Sequence, residues 1–319
     1  MRGSLVALLV IGTAAFVAGG VLIGVGIHNN SKNEEVVTNT HTLDNDFTDI
    51  KINLETASLY IKQATDDKVT VVCNERKKTY HDVKIEDGKL VIKQVDKRRW
   101  YEKFLFSVFW ADFDVTVYLP GTSYANYSSY SATGKTEIDS FVTFNNVDIT
   151  ASTGSIKVNS TVTNDIKVNN TTGSITVDGI GSPNSVNLKN STGSIKLLNT
   201  LATGDITVAN STGGCKIENV TCQNIKATAS TGSVNLDNVQ AVDNMELKSS
   251  TGGVRFYNSD ANYIKASTST GSIKGSVLTG KMFTAKSDTG SVHVPPSTAG
   301  TGTCELKSST GSITVEIVE

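Results

Sequence analysis

From Ser131 onward the chain alternates apolar and polar residues in short runs, and each run restarts after a Ser/Thr-Thr-Gly step. The glycines of that step are Gly134, Gly154, Gly173, Gly193, Gly213, Gly232, Gly252, Gly271, Gly290 and Gly311, separated by 19 to 21 residues. Two positions after the glycine stand Ile156, Ile175, Ile195, Cys215 and Val234, and two further on Val158, Val177, Leu197, Ile217 and Leu236. A period of two with one apolar side predicts a strand that buries one face. Seven and five positions before the glycine the same alternation returns, as in Ile166 with Val168 and Val186 with Leu188, and predicts a second strand in every repeat.

Four inward side chains cannot offset the backbone entropy of a coil of about 20 residues, so no coil is stable alone. Stacking solves this, because equivalent residues then form ladders about 4.8 Å apart over a continuous core. A short fixed period is the mark of such an array. The expectation is an all-β chain, a β-solenoid or parallel β-helix of about ten 19–21-residue coils over residues 126–319. The glycine is expected at the corner between the two strands, where a positive φ or a close approach to the next coil is needed. The adjoining threonines are expected to form a hydroxyl ladder that satisfies turn amides.

Ahead of the array, Asp49-Ile50-Lys51-Ile52-Asn53 and Thr56-Ala57-Ser58-Leu59 match Asp165 to Asn169 and Thr172 to Ile175 at the same internal spacing. A degenerate coil therefore begins early. Residues 68–73, 82–85, 89–94 and 112–118 also alternate, and residues 31–125 are expected to be a linker and β-rich front section capping one end of the solenoid. Within it the chain concentrates Arg98, Arg99, Trp100, Phe104, Phe106 and Trp110. This stretch is a candidate for covering the open core or for contact with a membrane surface.

Residues 5–27 form a run of 23 uncharged, mostly apolar residues, long enough as a helix to span a bilayer. Residues 1–30 are read as an N-terminal transmembrane helix, with a cleaved signal peptide and secretion as the alternative, Ala18-Gly19-Gly20 being a weak cleavage candidate. Arg2 before the run, against Lys32, Glu34 and Glu35 after it, favours a cytoplasmic N-terminus and an external body.

Charge narrows the function classes. With 29 basic and 31 acidic residues the formal net charge is -2, which argues against nucleic acid as a partner. Cys73, Cys215, Cys222 and Cys304 lack metal-site spacing, and Cys215 and Cys304 occupy positions that other coils fill with aliphatic residues. His28, His41, His81 and His293 are scattered, and no phosphate loop or metalloprotease motif occurs. No catalytic residue, metal ligand or cofactor is therefore assigned, and an enzyme is not expected. One outward row does stand out. Three positions after the glycine come Lys157, Lys196, Lys216, Arg255 and Lys274, a mildly basic stripe suited to a polyanionic wall polymer or glycan, or simply to solubility.

The Thr-Gly-Ser-Ile/Val repeats, the opening Asp49-Ile50-Lys51-Ile52 strand, and the stretch from Lys97-Arg98-Arg99-Trp100-Tyr101 to Val117-Tyr118-Leu119-Pro120 together resemble the bacterial DUF4097 family of β-strand repeat proteins labelled adhesins. The likeness covers nearly everything after residue 40. It implies a single-anchor protein of a bacterial envelope and carries over no catalytic or binding residue. The reading that follows is a non-enzymatic cell-surface protein binding a wall polymer, a glycan or a membrane protein. Its alternatives are an envelope-stress accessory to a membrane system and a polysaccharide-active enzyme.

Overall fold

The computed structural model describes residues 35–44, 46–99, 113–298 and 302–318. These residues form 25 strands joined in one sheet system, with no helix among them. The front strands are β1 (Val37–Leu43), β2 (Asp49–Thr56), β3 (Ser58–Gln63), β4 (Val69–Glu75), β5 (Thr79–Glu86), β6 (Lys89–Asp96) and β7 (Asp114–Leu119). The array opens with β8 (Ser123–Thr133) and β9 (Thr136–Ile138), and β10 to β21 occupy residues 143–277, with β18 at Val234–Thr251 and β20 at Tyr263–Thr270. It ends with β22 (Met282–Thr289), β23 (Val292–His293), β24 (Thr303–Thr310) and β25 (Ile313–Ile317).

The architecture is the expected β-solenoid, with about nine turns. Parallel strands pair coil on coil with equivalent residues in register, so that Ile156 meets Ile175, Ile175 meets Ile195, and Ile195 meets Cys215. The degenerate first coil joins the same ladders, Ile50 opposite Tyr127 and Thr56 opposite Thr133. The coil at Gly290 is reduced: its second strand, β23, has only two residues, both exposed.

Stacking order departs from chain order at both ends. β24 lies between β20 and β22, so the last coil of the sequence is inserted inside the penultimate one. The Pro295-Pro296 pair that follows Val294 explains the turn away, since two residues without N–H donors cannot continue a ladder. Cys304, Leu306 and Ile313 then fill the inner slot, while Phe283, Ala285 and Val294 remain half-buried at the edge. At the front the device is mirrored, with β2 between β6 and β8 and β3 between β7 and β9. Beyond β6 and β7 the pairing turns antiparallel: β5 on β6, β4 on β7, and β1 on β4.

Two corners shape each coil. At the first, Gly193 has φ of 125°, and a Cβ there would lie 2.0 Å from the carbonyl oxygen of Gly173. Both reasons for glycine thus act together. The threonine ladder works differently from the expectation, since Thr172, Thr192 and Thr212 point to solvent and it is their backbone that bonds. The Gly173 N–H donates to the Thr192 carbonyl at 2.8 Å. The glycine carbonyl is satisfied from inside by the residue three before the next glycine, where the Nδ2 groups of Asn170, Asn190 and Asn210 donate to Gly154, Gly173 and Gly193 at 2.9, 2.8 and 2.7 Å. Ser249, Thr268 and Ser308 do the same with hydroxyls in later coils.

The second corner lies six residues after the glycine and uses a left-handed residue, Asn199, Asn219, Asn238 or Asn258, each with φ near 50°. Asparagine tolerates that region because its short amide bonds locally. Past this corner a third short run reaches the core, through Val220 and Cys222 in one coil and Val239 and Ala241 in the next. The N-terminal apolar run at residues 5–27, expected to be a transmembrane helix, lies outside the described residues. Among the described residues no helix is long and apolar enough to cross a membrane.

Candidate functional site

The strands that follow the Thr-Gly corner bury the residues two and four after the glycine and turn the one between them outward, so that residue builds a row along the solenoid. Register pairs it as Lys157, Thr176, Lys196, Lys216, Asn235, Arg255, Lys274, Thr314 and His293, an unbroken line about 4.8 Å per step. The five basic residues singled out from the sequence are therefore on one face. The inserted last coil places Thr314 ahead of His293, the reverse of their chain order.

Charge along this row is not uniform. Lys157 is 3.3 Å from Glu137, the next residue of the row toward the front, and Lys135 also bonds Glu137 at 2.5 Å. The Lys135 hydrogen bond, with Lys157 adding to it, holds the Glu137 carboxyl below its ordinary value. Lys216 is paired with Glu218 at 2.7 Å, and Arg255 donates to the Asn235 side-chain oxygen at 3.2 Å. Lys196 and Lys274 form no ion pair among the described residues. The face is a mixed-charge strip, with two unpaired ammonium groups flanking a paired centre.

An open depression of about 180 Å³ lies at that centre, lined by Lys216, Glu218, Asn235, Asp237, Arg255 and Tyr257, with Leu236 beneath. The acidic members come from a parallel row five residues after the glycine. They have a role at the left-handed corner. Asp178 accepts from Asn199 Nδ2 at 2.8 Å and Asp237 from Asn258 Nδ2 at 3.4 Å, while Asn219 and Asn238 link to the preceding asparagine at 3.0 Å each. This row was missed in the sequence, although asparagine recurring six places after the glycine is visible there.

The second group of candidates, Trp100, Phe104, Phe106 and Trp110, lies outside the described residues. Arg98, which precedes it, forms a two-point bond to Asp96, at 2.9 Å from Nε and 2.8 Å from Nη2.

A parallel solenoid with glycine corners and long exposed side-chain rows defines the class of this protein as a β-strand repeat protein. The Toastrack DUF4097 family profile matches residues 47–207 and 200–319, and the chain belongs to that family. No curated protein matches the sequence. Several solved structures are similar to the chain at low identity. A Parabacteroides distasonis protein named for lipid binding is 12% identical over 88% of this chain and 97% of its own, with a TM-score of 0.46. A second protein of that organism, named as an adhesin, is 14% identical over 90% and 98%, with a TM-score of 0.45. An adhesin-named protein of Bacteroides fragilis is 14% identical over 89% and 97%, with a TM-score of 0.36.

Proposed function

We propose that this chain is a non-enzymatic binding protein held at the outer side of a bacterial membrane, and that its strip of Lys196, Lys216, Arg255 and Lys274 engages an anionic linear polymer of wall or glycan type. The observation that carries this reading is the unbroken register of the row. It repeats hydrogen-bonding and cationic groups at one interval, and a linear polymer can run along such a line and collect many weak contacts. A paired lysine contributes little to an incoming anion, whereas Lys196 and Lys274 stand ready on either side of the depression. The apolar run at residues 5–27 supplies the tether in this reading. Its orientation follows from Arg2, which favours a cytoplasmic N-terminus.

Binding of the full chain to purified teichoic acid and to an array of acidic glycans tests the proposal. The triple variant K196Q/R255Q/K274Q is expected to lose at least about tenfold in affinity and part of its salt dependence. Undiminished binding in that variant, or binding that salt leaves unchanged, would remove the strip from the function.

A further inference from the structure

The front end gathers chemistry that the sequence disperses. Strands β1 and β4 pair antiparallel, with His41 opposite Val71 and Asn39 opposite Cys73, so His41 and Cys73 are diagonal neighbours on the inner face. A ring nitrogen of His41, the thiol of Cys73 and a carboxylate oxygen of Glu75 lie within 4.8 Å of one another. His81, on β5, reaches the same carboxylate: its Nδ1 is 3.0 Å from Glu75 Oε1, and its backbone N–H donates to that oxygen at 2.6 Å. Asn39 Nδ2 donates to the other oxygen at 2.5 Å.

This network leaves nitrogen atoms over. His81 is 3% exposed and His41 partly buried, yet the Nε2 atoms of both are enclosed without a hydrogen-bond partner. A buried imidazole nitrogen without a partner is costly, and native interiors rarely keep two side by side. Cys73 beside them is fully buried. An internal network for holding a hairpin would need neither the thiol nor an unsatisfied imidazole nitrogen on His41.

We infer that His41, Cys73 and Glu75 form a binding site for one borderline-soft divalent ion of the Zn²⁺ class. Nitrogen, sulfur and carboxylate oxygen are the ligand types such an ion takes, at about 2.0 to 2.3 Å, so the three groups close in by a small side-chain movement. His81 is a positioning residue, holding the Glu75 carboxylate by a bond of the kind that orients metal ligands from outside. Three protein ligands leave a fourth position. His41, on the edge strand β1, is the most exposed of the three ligands. On binding, the Cys73 thiol gives up its proton to solvent and the sulfur coordinates as thiolate, so one proton leaves for each ion bound. The ion would tie the edge strand β1 to β4 and brace the end of the stack.

The test uses the full chain, stripped of metal by a chelator, with Zn²⁺ for calorimetry and Co²⁺ for absorption spectroscopy. The expected result is one equivalent of Zn²⁺ per chain, a rise in Tm on loading, and a thiolate-to-cobalt charge-transfer band. Cys73→Ser should abolish that band, and His41→Gln should weaken Zn²⁺ binding at least about tenfold. Cys222→Ser, which removes a buried thiol of the array, should leave both readouts intact. His41→Gln changes a partly exposed edge-strand residue, so if Cys73→Ser does not fold it decides alone. Absence of stoichiometric binding, or binding unchanged by His41→Gln, would overturn the assignment.

Discussion

At the scale of single residues, the corner glycine and its neighbours have separable roles. Gly193 answers to two constraints at once, a φ of 125° and a carbonyl 2.0 Å from where a Cβ would sit. Gly193→Ala is therefore expected to destabilise the protein by about 2 to 4 kcal/mol, from strain plus displacement of the neighbouring coil. Thr192 precedes it with an exposed side chain, and Thr192→Ala should stay within about 0.5 kcal/mol. Urea midpoints of the two variants check this, and a large loss at Thr192 would restore the hydroxyl ladder to a structural role. Repetition of the Thr-Gly pair made both residues legible in the sequence, but not which of them carries the corner. Inward asparagines such as Asn190 were overlooked because a polar residue in an alternating strand reads as outward unless its carbonyl partner is known.

At the scale of strands, alternation holds so consistently that even sulfur follows it. Cys215 and Cys222 lie on one long strand (Cys215–Thr231) and Cys304 on β24, all three in the core. Burial, with nearby Asp205 adding for Cys222, pushes their thiols up to about 12. For Cys304 burial also dominates, with Lys281 opposing it. In the unfolded chain a thiol ionises near pH 8.5. Between those values the folded state holds more protons, so stability is fully present below about pH 8.5 and falls as pH rises toward 12. The limiting slope is about 1.4 kcal/mol per pH unit for each thiol. Urea denaturation across pH 8 to 11 should show the decline, and replacing the three cysteines with alanine or valine should make it shallower. Sequence position alone identified Cys215 and Cys304 as core residues. Cys222 was not placed, because it lies on the third short run, which begins after the left-handed asparagine corner.

For the whole molecule, both ends are stitched by a coil out of chain order. Because β22 pairs with β24 alone among the described residues, removing the last coil should release the penultimate one as well. A chain ending at Thr298 is expected to lose hydrogen-exchange protection across β22 while the coils from β8 to β18 keep theirs. A solenoid stacked in chain order would instead keep β22 protected, paired with β20. Buried Lys281, paired with half-buried Asp260 at 2.6 Å, lies at the point where the chain leaves the ordered stack. The front end shows the same economy of edges, with antiparallel strands closing what parallel coils leave open.

What the sequence by itself determined is whatever repeats: the period, the two main strands, the corner glycine, the degenerate first coil and the shared face of Lys157, Lys196, Lys216, Arg255 and Lys274. Those features are local, and in a stack a local pattern is copied into a ladder without further information. Tertiary structure decided what occurs once. The insertion of β24 depends on which coil buries more apolar surface at an open end. The pairing of Lys216 with Glu218 depends on side-chain reach along one face of the strand. The meeting of His41, Cys73, Glu75 and His81 depends on an antiparallel register that no spacing in the chain announces.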